Sequence, residues 1–297
     1  MFKHGYFLLV LLLLSCSKII ELEQPDYESK IVVDGFIESN GFANVYLMRS
    51  SPFLTQYDSA SVRATFMNAA TVTLTCSNGD SEILTLFRQN AFFPPFVYKS
   101  IRMKGLAGES YSLKVSFSGK MVTATTTIPQ PPTLTSFGMD PRSDSSGLIR
   151  IGIEKETGVT SYAFIQYRSI KADQNFHPAG IPVYQLDGLI YEGSMYVLRC
   201  DENNLFLVNP SKQAYSFWPK ALFSIKDTVL VKLGLIDAAS YQILKSIFAD
   251  EAIRNNPFSF NSAGIQSNIV GGIGRWTGIG VAPTQVYTYL NSFPDLF

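Results

Sequence analysis

Tyr111 to Ile128 reads YSLKVSFSGKMVTATTTI, and Pro129-Gln130-Pro131-Pro132 follows it directly. Two runs rich in β-branched and aromatic residues, Tyr111 to Phe117 and Met121 to Ile128, flank Ser118-Gly119-Lys120. Runs of that kind around a glycine turn read as a β-hairpin. Three prolines in four residues cannot continue a central strand, because each removes a ladder donor, and they favour extended polyproline geometry. The stretch predicts the closing hairpin of one β unit, then a short, stiff linker at residues 129–133.

Upstream, Lys30 to Glu38 (KIVVDGFIE, with Gly35 at a possible bulge), Ala43 to Arg49, Thr71 to Cys76 and Glu82 to Phe87 read as strands. The last two are joined through Asn78-Gly79-Asp80. Asn-Gly is the strongest short hairpin signal, because both residues tolerate positive φ. No helix-period run of useful length interrupts them. Residues 30–128 are expected to form an immunoglobulin-like or transthyretin-like β-sandwich.

Downstream, residues 134–297 are expected to form a second β-rich domain. Its strands are placed at Leu134 to Met139, Leu148 to Glu156, Tyr162 to Ile170, Tyr191 to Cys200, Leu205 to Val208 and Thr228 to Ile236, with loops around Pro178, Pro182 and Gly188. Asp237 is placed to cap one helix near residues 238–254, and Asn255-Asn256-Pro257 stops it. Ile265 to Val281 alternates glycine with aliphatic residues and reads as closing strands. The fold class is therefore mainly β, with one helix.

Among the 297 residues, Lys plus Arg and Asp plus Glu each number 24, and charged residues are 16% of the chain. No basic stripe is visible, which argues against nucleic acid as a partner. The 22 Phe and 15 Tyr with so little charge suit a β-rich extracellular protein.

The N-terminus supplies the most specific motif. Lys3 and His4 open a basic segment, Tyr6 to Leu14 is an unbroken apolar run, and Leu13-Leu14-Ser15-Cys16 follows. An aliphatic residue at minus three and a small one at minus one before cysteine mark a bacterial lipoprotein signal. The apolar run has nine residues, where a spanning helix needs about 20. Residues 1–15 are expected to be a signal peptide. Cys16 is expected to be acylated, with residues 16–29 a tether that lets lipid hold the protein on a membrane. Cys76 and Cys200 each end an apolar alternation and read as buried, unpaired thiols.

The lipobox, KIVVDGFIE, NVYLMRSSPF, AGESYSLKVSFSGKMVTATTTIPQPP and the tail NPFSFNSAGIQSNIVGGIGRWTGIG together resemble a Bacteroidota lipoprotein family, domain of unknown function 4249. The resemblance covers nearly the whole chain. Members are often encoded beside TonB-dependent outer-membrane receptors. The resemblance therefore implies a surface-exposed accessory to such a barrel, and it carries no catalytic residue with it.

No motif specifies catalysis. The mature chain has a single histidine, His177, in a loop context, and no GxSxG, HExxH or P-loop pattern occurs. The tail Gly271 to Gly278 fails the dinucleotide pattern at Thr277, so its glycines read as points of close backbone approach or bulges, with Trp276 a packing anchor between domains. Glu154 with Glu156, and Asp201 with Glu202, are explained as solvated strand ends and turns. No metal or cofactor site is expected. Two aromatic clusters remain: Phe92, Phe93 and Phe96 around Pro94-Pro95, and Tyr215, Phe217 and Trp218 beside Pro219. Such loops either fold back as core lids or, where exposed, mark interaction sites; on the second reading Phe92, Phe93, Phe96 and Trp218 form the candidate interaction patch.

The expectation is a non-enzymatic outer-membrane surface lipoprotein, lipid-anchored and facing outward, that captures ligand for, or covers, a TonB-dependent barrel. The rival readings are a structural or adhesive surface module and a hydrolase with an unfamiliar site.

Overall fold

A computed structural model describes residues 27–52, 58–90, 94–154, 158–171, 175–188, 191–192, 195–200, 223–253 and 265–288. In chain order the elements are β1 (Ile31–Glu38), β2 (Phe42–Arg49), α1 (Ser59–Thr65), β3 (Thr71–Cys76), β4 (Ser81–Ile83), β5 (Thr85–Arg88), β6 (Phe96–Lys104), β7 (Ser110–Phe117) and β8 (Lys120–Thr127). Then come β9 (Leu134–Ser143), β10 (Ser146–Glu154), β11 (Tyr162–Ser169), β12 (His177–Gln185), β13 (Tyr191–Glu192), β14 (Met195–Cys200), β15 (Phe223–Ser224), β16 (Val229–Ile236), α2 (Ala238–Ile253), β17 (Ile273–Val281) and β18 (Gln285–Tyr287). The protein is mainly β.

The β7–β8 hairpin turns on Ser118 (φ 48°) and Gly119 (φ 79°), with Phe117 paired to Lys120. Two consecutive positive φ values give the two-residue turn whose twist matches its strands. At Asn78-Gly79 only Gly79 (φ 97°) is left-handed. Asn78 instead accepts the Asp80 N–H at 2.9 Å through its side chain, a local Asx bond that favours a longer turn.

A nine-stranded sheet runs in the order β12-β11-β16-β17-β1-β2-β6-β5, with β18 also paired to β16. Two smaller sheets, β4-β3-β7-β8 and a five-stranded one around β10, complete the β structure among the described residues. The burial of β1 alternates strictly. Its residues Ile31, Val33 and Ile37 enter one core with β3, β7 and β8. In β11 and β16, Ala163, Ile165, Val229, Val231 and Leu233 enter a second core with β10. The strand register puts both cores on one face of the large sheet. The opposite face holds Phe164, Ile236 and Ile279, on which Tyr241, Leu244 and Phe248 of α2 pack.

The large sheet spans both halves of the sequence. β17 lies between β1 and β16, parallel to β1 from Val32↔Ile273 to Glu38↔Ile279. The sandwich read from residues 30–128 is thus completed by a strand from the 134–297 segment. Trp276 is fully buried in its core, and its indole N–H donates to the Tyr111 carbonyl at 2.9 Å. The tail glycines act as close approaches. A Cβ on Gly274 would meet the Val33 carbonyl oxygen at 1.9 Å, and one on Gly280 the Pro129 oxygen at 2.1 Å.

Several sequence expectations need correction. Glu82 to Phe87 is not one strand: it breaks at buried Leu84, so that β4 joins the four-stranded sheet and β5 the large one. Strands that switch sheets at a bend are how sandwich corners are built. β6 was not expected. Residues around Pro178 and Pro182, read as loops, form β12, an edge strand where a missing N–H costs no ladder bond. His177 therefore begins a strand and is half-buried. Helix α1 was also unexpected. Asp58 caps it, accepting the Ala60 and Ser61 N–H groups while Ser61 Oγ accepts the Asp58 N–H, a capping box. Gly35 forms no bulge and pairs squarely with Trp276. The predicted helix appears as α2, where Asp237 Oδ1 accepts the Ser240 N–H at 2.6 Å. Cys76 is buried and free, as its alternation implied.

Candidate functional site

The outer face of the large sheet carries the site. Strand alternation places Val32, Asp34, Phe36 and Glu38 of β1 on it. Register adds Ile273, Arg275 and Thr277 of β17, Phe164, Gln166 and Arg168 of β11, and Lys232 of β16. β16 pairs with β17 only at Gly234 to Ile236, because the chain then turns at Asp237 into α2. The earlier half of β17 is left without a strand on that side. Asn268 takes the strand's place: its Oδ1 accepts the Trp276 N–H at 2.9 Å and its Nδ2 donates to the Trp276 carbonyl at 2.7 Å.

The result is a groove of about 590 Å³ between sheet and helix. Val32, Phe164, Leu244, Ile247, Phe248 and Ile273 supply apolar lining, and Asp34, Arg275, Gln166, Gln266 and Ser267 supply polar groups. Size and composition match a small-molecule site, which is typically 300–1,000 Å³ and mostly apolar with few placed polar groups.

Charge is held in place around it. Arg275 donates from Nε to Asp34 Oδ1 at 2.7 Å, with the arginine side chain 19% exposed. Lys232 Nζ lies 2.9 and 3.1 Å from the two carboxylate oxygens of Glu38. Both partners of that pair are largely buried, so removing either strands a charge. The Phe176 ring receives Lys232 Nζ at 4.7 Å and the Arg168 guanidinium at 5.8 Å. Burial pushes the Tyr46 hydroxyl above its usual pKa, and the nearby Asp34 carboxylate adds to the shift.

Of the sequence candidates, Phe96 is described. It is the first residue of β6, half-buried, and pairs with Arg88 on edge strand β5. It was expected in a loop; β6 begins earlier than the flanking prolines suggested. Two strands, β2 and β6, separate the β5 edge from β1 and the groove. Cys16, Phe92, Phe93, Tyr215, Phe217 and Trp218 lie outside the described residues, as do residues 1–15, Glu156, Asp201 and Glu202. Glu154 is exposed at the end of β10. Among the described residues no cluster of three or more His, Cys, Asp or Glu is placed to hold a metal, and no helix is long and apolar enough to cross a membrane.

The groove was missed from sequence. One signal was present: Arg275 is the sole charge between Ile265 and Thr284. A lone cation among glycines and aliphatics on a buried strand needs a partner, and Asp34 on the polar side of β1 was the candidate.

The geometry meets a family at this point. The model described as Domain of unknown function (DUF4249) matches residues 18–284. The chain belongs to the DUF4249 family. Elements β1 to α2 and β17 all lie within the matched span, so the groove is built from DUF4249 residues. No curated protein matches this DUF4249 chain. Similar solved structures include a two-domain fibronectin type III segment from chicken tenascin, at 9% identity and a TM-score of 0.20, covering 70% of this chain and 91% of that one. Another is a DUF4785 family protein from Legionella pneumophila, at 12% identity and a TM-score of 0.21, covering 70% of this chain and 51% of that one.

Proposed function

We propose that this protein is a non-enzymatic, lipid-anchored outer-membrane protein, facing outward, that captures a small ligand beside a TonB-dependent barrel. The observation that carries capture is the groove under α2, with its apolar walls and ion-paired Arg275. The lipobox ending at Cys16 supports the anchor, and triacylation there would give stable membrane attachment. The barrel partner rests on the family resemblance. No cofactor enters the reading.

The test is isolation of the natively expressed protein from outer membranes in mild detergent, followed by cross-linking mass spectrometry. A TonB-dependent barrel recovered at comparable abundance and cross-linked to this chain supports the proposal. A lone lipoprotein would move the reading to a structural or adhesive module. Membrane retention of a Cys16→Ala variant would remove the lipid anchor from the account.

A further inference from the structure

The groove's chemistry narrows what it takes. Arg275 lines the groove and uses Nε to bond Asp34. Its two terminal nitrogens have no hydrogen-bond partner among the described residues. Asp34 thus fixes the plane of the guanidinium and leaves its terminal donors for a ligand, and a guanidinium fork matches the paired oxygens of a carboxylate, as it does those of a phosphate. Gln266 and Ser267 line the same groove and add polar groups.

The charge balance points the same way. On this face, the strand positions of β1, β11, β16 and β17 carry Asp34 and Glu38 against Arg168, Lys232 and Arg275. Two ion pairs account for both carboxylates. Among the described residues Arg168 has no carboxylate partner: its Nε is buried without a hydrogen-bond acceptor, and its guanidinium faces the Phe176 ring. It follows Gln166, a groove residue, on the same face of β11. Among the described positions of these four strands, the face carries one more positive charge than negative beside an apolar trough, which favours an anion and penalises a cation.

Building on the capture reading, we infer that the groove binds an amphipathic carboxylate: an acyl or other apolar body carrying one carboxylate. The apolar body lies along Phe164, Leu244, Ile247 and Phe248, and the carboxylate meets the terminal nitrogens of Arg275.

The test uses the lipidated mature protein in nanodiscs, titrated calorimetrically with decanoate, decan-1-ol and decylammonium, with empty nanodiscs subtracted. Decanoate is expected to bind one to one and about tenfold or more tighter than decanol, as one charge-assisted contact implies. Arg275→Gln should remove that preference. Asp34→Asn keeps the arginine and an acceptor for its Nε but removes the neighbouring negative charge, so decanoate should bind several-fold tighter; an unchanged or weaker affinity would overturn the assignment of the carboxylate to Arg275. Thermal melts by circular dichroism establish that each variant is folded. Equal affinity for decanoate and decanol, or preference for decylammonium, would overturn the carboxylate inference while leaving capture in the groove intact. Binding of none of the three would overturn both.

Discussion

Gly35 and Trp276 face each other across the parallel β1–β17 pair, so closely that a Cβ on Gly35 would stand 2.8 Å from Trp276 Cε3. The indole cannot retreat, because it is fully buried and tied to the Tyr111 carbonyl. Gly35→Ala is therefore an overpacking change, expected to cost about 1–3 kcal/mol. Urea unfolding monitored by tryptophan fluorescence measures it. A midpoint matching the wild type would mean that the core yields there.

Glu82 offers a pH-linked case. It is 4% exposed, and its carboxylate accepts the backbone N–H groups of Ile101, Arg102 and Met103 at 2.7 to 3.4 Å. Burial pushes its pKa up, but the three donors together outweigh burial and hold it below the usual carboxylate range. A carboxyl lowered in the folded state stabilises the protein above its unfolded pKa, about 4.3, and that contribution is lost as pH falls through the lower folded value. Glu82→Gln should cost about 2 kcal/mol or more at pH 7. The gap to wild type should shrink in acid; a gap constant from pH 7 to pH 3 would contradict the ionised assignment.

Tyr111 titrates in the opposite range. Burial pushes its hydroxyl pKa up to about 12, while the unfolded chain releases that proton near 10. Above pH 10 the unfolded state binds fewer protons than the folded one, so stability falls as pH rises toward 12. Tyr111→Phe loses the acceptor for the Leu106 N–H and the donor to the Lys104 carbonyl, about 1 kcal/mol at pH 8. The wild-type advantage should narrow at pH 11, read from guanidinium midpoints. A widening advantage would reverse the sign argued here.

Asn268→Ala removes both bonds that close the free side of β17 at Trp276. The expected loss is about 1–3 kcal/mol, because the Trp276 N–H is left buried and unpaired. Hydrogen exchange at that amide should accelerate sharply while amides of β7 hold their protection. Unchanged exchange at Trp276 would show that another acceptor takes over.

Local chemistry made much of this fold readable. Thr71–Cys76 matches its expected span exactly, and Asp237 caps the helix where its side chain predicted. What failed was non-local or context-dependent. The apolar alternation continues through Glu82 and Leu84, so nothing in it announces that the chain changes sheets there. Pro178 reads as a loop residue unless the strand is known to be an edge. β6 carries Lys99, Arg102 and Lys104 behind a proline pair, which masks its character. The site was harder still. Asp34 and Arg275 are 241 residues apart, and only the β1–β17 register, set by glycines that admit close backbones, brings them together.

The parallel pairing of β1 with β17 also sets an order of events. A chain is synthesised from its N-terminus, so β1 is available long before β17 is. Until some 240 further residues have followed, one long edge of β1 has no lasting partner. Topologies dominated by such distant contacts close slowly and leave strands open to mispairing. During synthesis, this protein should depend on holding chaperones more than its size suggests, with the last strand acting as the key that locks the first.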